Sequence, residues 1–208
     1  MVRTISAVAA IALAAGSAAA QTYTIDFEND ALGNALVEGQ IIDNEYAAWG
    51  ATFVPNVLSG TTWATNTDMS VTSSLSNVGG GYDPSYGRIM HSFNGWLAED
   101  GDPNFGLFFS QAISSITVRF TGDTSGLSEV AAFDAQGNFQ TSAVVSGGTS
   151  ALKSVTLTGL SATQIGVILP GDFGDWVGIV DITYTLVPAP SSLALLGLGG
   201  LVAGRRRR

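Results

Sequence analysis

The sequence predicts an all-β fold, an antiparallel jelly-roll-like β-sandwich spanning residues 21–186. Three observations predict it. Short apolar runs recur roughly every 8–15 residues, the spacing of a sheet protein built from many strands. Several runs alternate apolar and polar side chains, the period-2 pattern of strands with one face buried. No stretch carries a sustained helical spacing of apolar residues, and the body is rich in Gly, Ser and Thr. No internal repeat of fixed period is visible.

The elements follow in order. T-Y-T-I-D-F-E, Thr22 to Glu28, places Tyr23, Ile25 and Phe27 on one face and Thr24, Asp26 and Glu28 on the other. Ile41 to Trp49 is compatible with a helical turn or two before Gly50. Ala51 to Val54 is a short strand that Pro55 ends. Leu58 to Gly87 is polar, with turns at Gly79-Gly80-Gly81 and Asp83-Pro84 around a strand near Met69 to Leu75. Strands resume at Arg88–Phe93 and Phe105–Ser110, on either side of the acidic loop Glu99 to Asn104. Ile113 to Thr121 sets Ile116, Val118 and Phe120 on one face. Leu127 to Ala135 and Phe139 to Val145 flank Ala135-Gln136-Gly137-Asn138, a hairpin turn. Leu152 to Thr158, Thr163 to Leu169 and Trp176 to Leu186 complete the sheets.

Charge is segregated along the chain. Of eight basic residues only Arg88, Arg119 and Lys153 lie in the body, against all 17 acidic ones, a formal charge of −14 there. Such a surface repels phosphate backbones and excludes nucleic acid as a partner. It attracts hard cations, although strong net charge also simply keeps secreted domains apart. There is no cysteine and one histidine, His91, so thiol catalysis, thiolate metal sites and multi-histidine centres are excluded.

Both ends carry targeting signals. Arg3, the apolar run Ile5 to Ala15 and Ala18-Ala19-Ala20 before Gln21 form a signal peptide spanning residues 1–20, with cleavage between Ala20 and Gln21. At the other end Val187-Pro188-Ala189-Pro190 bars strand and helix alike, because proline lacks an N–H and restricts its predecessor. An apolar segment follows, and Arg205, Arg206, Arg207 and Arg208 close the chain. Leu186 to Gly204 is 19 residues, at the short end for a bilayer-spanning helix, and the arginines hold its end on the cytoplasmic side. The expected domains are therefore 1–20, 21–186 and 187–208, with a signal-peptide helix at the N-terminus and a short transmembrane helix at the C-terminus.

The order Pro-x-Pro, apolar helix, arginine cluster in residues 187–208 resembles the PEP-CTERM sorting signal of bacterial envelope proteins. Val187, Pro188, Pro190 and Arg205 to Arg208 carry the likeness, with Ala189 where the family usually has glutamate. The resemblance implies an exosortase-type processing enzyme as a partner. It also implies transient residence in the inner membrane and delivery to the cell envelope, outer surface or extracellular matrix. The body is similar to jelly-roll domains found upstream of such tails. It matches them in I-D-F-E (Ile25 to Glu28), Tyr46 to Phe53, A-F-D-A-Q-G-N (Ala132 to Asn138) and I-V-D-I-T-Y (Ile179 to Tyr184).

Three constellations are candidates for chemistry. In carbohydrate-binding jelly rolls that the domain resembles, acidic residues of the first and last strands share a structural calcium, which here implies Asp26, Glu28 and Asp181. Solvent-facing carboxylates on edge strands are the alternative. Glu99, Asp100, Asp102 and Asn104 lack EF-hand spacing and read as a solvated turn. Trp63, Tyr82 and Trp96 can offer aromatic faces to exopolysaccharide, or can cover a sheet edge, while Trp49 and Trp176 are expected in the core. His91 stands mid-strand without a nucleophile elbow and reads as structural. The expectation is an exported, non-catalytic envelope or exopolysaccharide-matrix protein with no certain cofactor. A lectin-like glycan-binding module comes second and a secreted hydrolase third.

Overall fold

A computed structural model of the chain describes residues 19–55, 57, 69–72, 83–92, 104–148, 152–171 and 176–188. Residues Gln21–Val187 form one compact unit. The signal-peptide residues through Ala18, the tail from Ala189 onward, Trp63, Tyr82, Trp96, Glu99, Asp100 and Asp102 lie outside the described residues.

Among the described residues the unit has eight strands: β1 (Thr22–Ile25), β2 (Ala51–Pro55), β3 (Met69–Thr72), β4 (Ile89–Ser92), β5 (Phe105–Asp134), β6 (Phe139–Gly148), β7 (Lys153–Leu169) and β8 (Trp176–Leu186). All pairings are antiparallel. No α-helix occurs among the described residues, and the helical expectation near Trp49 reduces to a 3-10 turn at Ala47–Trp49.

The register divides the strands into two layers. In one, β2 pairs with the 105–109 part of β5, which pairs with the 165–168 part of β7. The far edge of β7 pairs with the 129–134 part of β5, and that with β6. In the other layer β3 pairs with β4, β4 and β1 share one edge of β8, and β8 pairs with the 113–123 part of β5. The 153–158 part of β7 completes it. Hydrogen bonding is continuous through all eight strands because β5 and β7 pass from one layer to the other. Breaks in register between Phe108 and Ile113 and between Phe120 and Glu129 mark the bends. The three strands expected between Phe105 and Ala135 are thus one bent strand.

The alternation read from the sequence sets the core between the layers. Ile25, Ile182, Val118 and Val155 lie side by side across four strands and are buried. In the facing layer Phe105, Ile168 and Val130 form an equivalent buried row. Residues of both layers belong to one hydrophobic cluster, as expected for a sandwich.

β1 ends earlier than the alternation predicts. Phe27 takes a left-handed backbone conformation (φ 61°), and the Asp26 side chain accepts the Glu28 N–H at 3.1 Å across it. Asx turns of this kind stabilise such a conformation in a non-glycine residue. Phe27 is nevertheless fully buried against Tyr46 and Phe53.

Candidate functional site

The first site is the paired ends of β1 and β8 within the folded unit, at Gln21, Leu186 and Val187. The Leu186 N–H donates to the Gln21 carbonyl at 2.8 Å, and the Val187 N–H donates to the Ala112 carbonyl at 2.8 Å. β1 and β8 pair antiparallel to their ends, so the first residue after the expected cleavage point lies beside the last residue before the proline motif. Val187 is partly buried and Pro188 is exposed. Val187 is thus the last residue tied into the sheet, and Pro188-Ala189-Pro190, the apolar run and the four arginines follow it in sequence.

Residues 186–208 match the PEP-CTERM protein-sorting motif. A PEP-CTERM tail marks an exported protein, carried across the inner membrane to the cell envelope and presented to an exosortase-type enzyme. The match begins at Leu186, the final residue of β8. No curated protein matches the chain.

Among solved structures, the chain is similar to a cleaved adhesin domain of Lys-gingipain, with a TM-score of 0.44 and 14% identity over 80% of this chain and 100% of that one. It is also similar to TmCBM61 in complex with β-1,4-galactotriose (TM-score 0.41, 13% identity, 73% of this chain, 100% of that one). A third is the family 32 carbohydrate-binding module of C. perfringens NanJ in complex with galactose (TM-score 0.37, 14% identity, 72% and 99%).

The carboxylates proposed for calcium are held by other partners. Glu28 accepts the Arg88 backbone N–H at 2.8 Å, and its second oxygen lies 3.9 Å from the Arg88 guanidinium. Gly87 makes this approach possible. It has a positive φ of 75°, and a Cβ there would run into the Glu28 carboxylate. Asp181 is buried and ion-paired with Arg119. Asp26 is exposed and engaged in its turn. Among the described residues no three His, Asp or Glu side chains gather into a group that could hold a metal ion. A calcium ion at this end of the sandwich would have to compete with two arginines for two of its three proposed ligands.

His91 is buried in β4 opposite Ser70 of β3. Asn104 is buried at the start of β5, while the acidic residues before it lie outside the described residues. Trp49 is partly buried and stacks on Tyr23 with ring centroids 5.4 Å apart, and its carbonyl accepts the Tyr184 hydroxyl at 2.9 Å. Trp49 therefore serves as the rim of the core, close to its expected place.

A recurring turn escaped the sequence reading. D-A-L-G-N (Asp30 to Asn34) and D-A-Q-G-N (Asp134 to Asn138) adopt the same structure. In the first, Asp30 accepts the N–H groups of Leu32 and Asn34 and the Asn34 side-chain amide, each within 2.8 Å. In the second, Asp134 accepts from Gln136, from the Asn138 N–H and from the Asn138 side chain at 2.8–2.9 Å. The hydrogen bonds from asparagine hold both aspartate carboxyls below their ordinary value. The signal was the shared D-A-x-G-N, with glycine at the position of positive φ.

Proposed function

We propose that this chain is a non-catalytic component of the cell envelope or exopolysaccharide matrix, anchored briefly by its tail and released from it by an exosortase-type enzyme. The PEP-CTERM match at residues 186–208 carries the reading. The body supports it in three ways. It is a two-layer sheet with strongly acidic composition, its histidine is buried, and two of its candidate carboxylates are paired with arginine. None of these features supplies an exposed acid–base pair.

The test is the intact mass of the protein recovered from the envelope and medium of its native host. The expected product runs from Gln21 to a new C-terminus at or just after Val187. The geometry bounds that cut, since the backbone through Val187 is tied into the sheet and Pro188 is the first exposed residue beyond it. Retention of the whole tail would reduce the role to plain membrane anchoring. Glycan binding that is lost in Trp63→Ala or Trp96→Ala would move the assignment to a lectin-like module. Polysaccharide turnover abolished by a single carboxylate substitution would make it a hydrolase.

A further inference from the structure

The two outer faces of the sandwich differ in kind. On the layer containing β2 and β6, the outward row Thr52, Phe108, Ile165, Phe133, Phe139 is mostly apolar and aromatic. On the other layer, the outward positions carry hydroxyls. One row across β1, β8, β5 and β7 reads Thr22, Thr185, Ser115, Thr158. The next reads Thr24, Thr183, Thr117, Thr156. Each strand contributes one T-x-T or S-x-T step: T-Y-T, T-Y-T, S-I-T and T-L-T. All eight side chains are exposed or partly exposed.

Six of these eight hydroxyls are ordered by one another. Thr22 and Thr185 share a hydrogen bond at 2.9 Å, Thr24 and Thr183 one at 2.9 Å, and Thr117 and Thr156 one at 3.0 Å. Threonine is also stiff at χ1, so its hydroxyl and methyl hold fixed positions. Strand geometry then sets a grid of about 4.8 Å across the strands and about 6.8 Å along them. A solvent-facing sheet does not require this, as the outward face of the other layer demonstrates.

The chemistry of the grid narrows its ligand. It contains no charge, and the Arg119–Asp181 pair bounds it on one side, so ions and charged polymers gain nothing there. Tyr23 and Tyr184, which stand between the paired threonines of β1 and β8, pack with the core. What the face does offer is a two-dimensional repeat of hydroxyl and methyl groups. Hydroxyls anchor water by hydrogen bonds, and methyls impose cage-like order on the water beside them. The repeat is of the same few-ångström order as the oxygen spacings on a face of ice.

We propose that the outer face of the β1–β8–β5–β7 layer is an ice-binding surface, on which the threonine grid holds a layer of ordered water continuous with the crystal.

Inhibition of ice recrystallisation by the full-length chain tests this, with the same tail present in every variant. Thr117→Tyr and Thr183→Tyr put bulky rings at the middle of the grid while keeping good strand formers. Thr24→Tyr does the same on the short strand β1, and Val144→Tyr is a control on the outward face of the other layer. Circular dichroism and the melting temperature certify that each variant is folded. The wild type and Val144→Tyr are expected to keep ice crystals small. Thr117→Tyr and Thr183→Tyr should fall to the level of an inert protein, and Thr24→Tyr should fall between. A folded wild type without effect on ice overturns the proposal, and so do threonine variants as active as the wild type. Adsorption to insoluble cellulose or chitin that the threonine variants lose, with no effect on ice, also overturns it and assigns the face to a polysaccharide.

Discussion

At the scale of single residues, two buried tyrosines differ only in where their hydroxyls end. Tyr184 donates to the Trp49 carbonyl, whereas the Tyr46 hydroxyl is buried near the Phe27 N–H without a hydrogen bond of good geometry. Burial raises the pKa of both phenols, so neither ionises in the neutral range. Tyr184→Phe is expected to cost about 1 kcal/mol in denaturant unfolding, because it orphans a carbonyl. Tyr46→Phe should cost nothing or stabilise slightly, because it removes a desolvated group that gains no bond. Equal losses in the two variants would show that the Tyr46 hydroxyl has a partner. The twin turns make a different prediction, about acid. Asp134 has its pKa lowered from 3.8 by the Asn138 side chain and backbone hydrogen bonds. A depressed carboxylate contributes stability above its unfolded value and loses it as pH falls through the folded value. Asp134→Asn should therefore melt below the wild type at neutral pH, with the gap closing once the pH is below 3.8. A gap that is unchanged in acid would mean that the turn does not depend on the charge. The sequence held this turn twice, but spacing of 104 residues between the copies defeats any search for periodic repeats.

At the scale of elements, alternation was the legible signal and continuity was not. Ala51 to Val54, Trp176 to Leu186 and the hairpin at Gly137 lie where the residue pattern places them, because Pro55, Gly137 and the bounding turns fix their ends locally. The passage of β5 between layers was not legible. Its bends fall among small and polar residues that read equally well as loops between separate strands. The threonine grid escaped for a related reason. Each T-x-T is ordinary in a strand, and only the register of four strands distant in sequence makes it a lattice. The same register gives a sharp test at neighbouring positions. Ile182 faces Ile25 and Val118 inside the core and is fully buried, so Ile182→Ala is expected to cost about 2–5 kcal/mol. Thr183 points outward, and Thr183→Ala should stay within about 1 kcal/mol of the wild type. Comparable losses in urea unfolding would mean that β8 is shifted by one residue, which would turn its hydroxyls inward.

At the scale of the whole molecule, the decisive feature is that both ends of the sandwich leave from one edge. Residues 1–20 and 188–208 are joined to the paired ends of β1 and β8, where the Leu186 N–H bonds the Gln21 carbonyl. The PEP-CTERM match begins at Leu186, the last residue of β8, so its first residues are tied into the sheet, and this tie is expected to oppose an exosortase-type enzyme acting there. The domain is also acidic, and any anionic surface it approaches repels it over a distance of about 8–10 Å. Both effects oppose entry of Val187 into the enzyme. A flexible Gly-Ser insert of about ten residues placed after Val187 and followed by a second Leu-Val before Pro188 would add a reach of roughly 17 Å while keeping the matched sequence of residues 186–208 whole. The insert is expected to speed conversion of precursor to product in a pulse-chase experiment in the native host, and raised salt in the medium should narrow the difference by screening the carboxylates. If the two precursors are processed at the same rate, the tail must be cut before β8 has closed on β5, because only then is Val187 free of the Ala112 carbonyl.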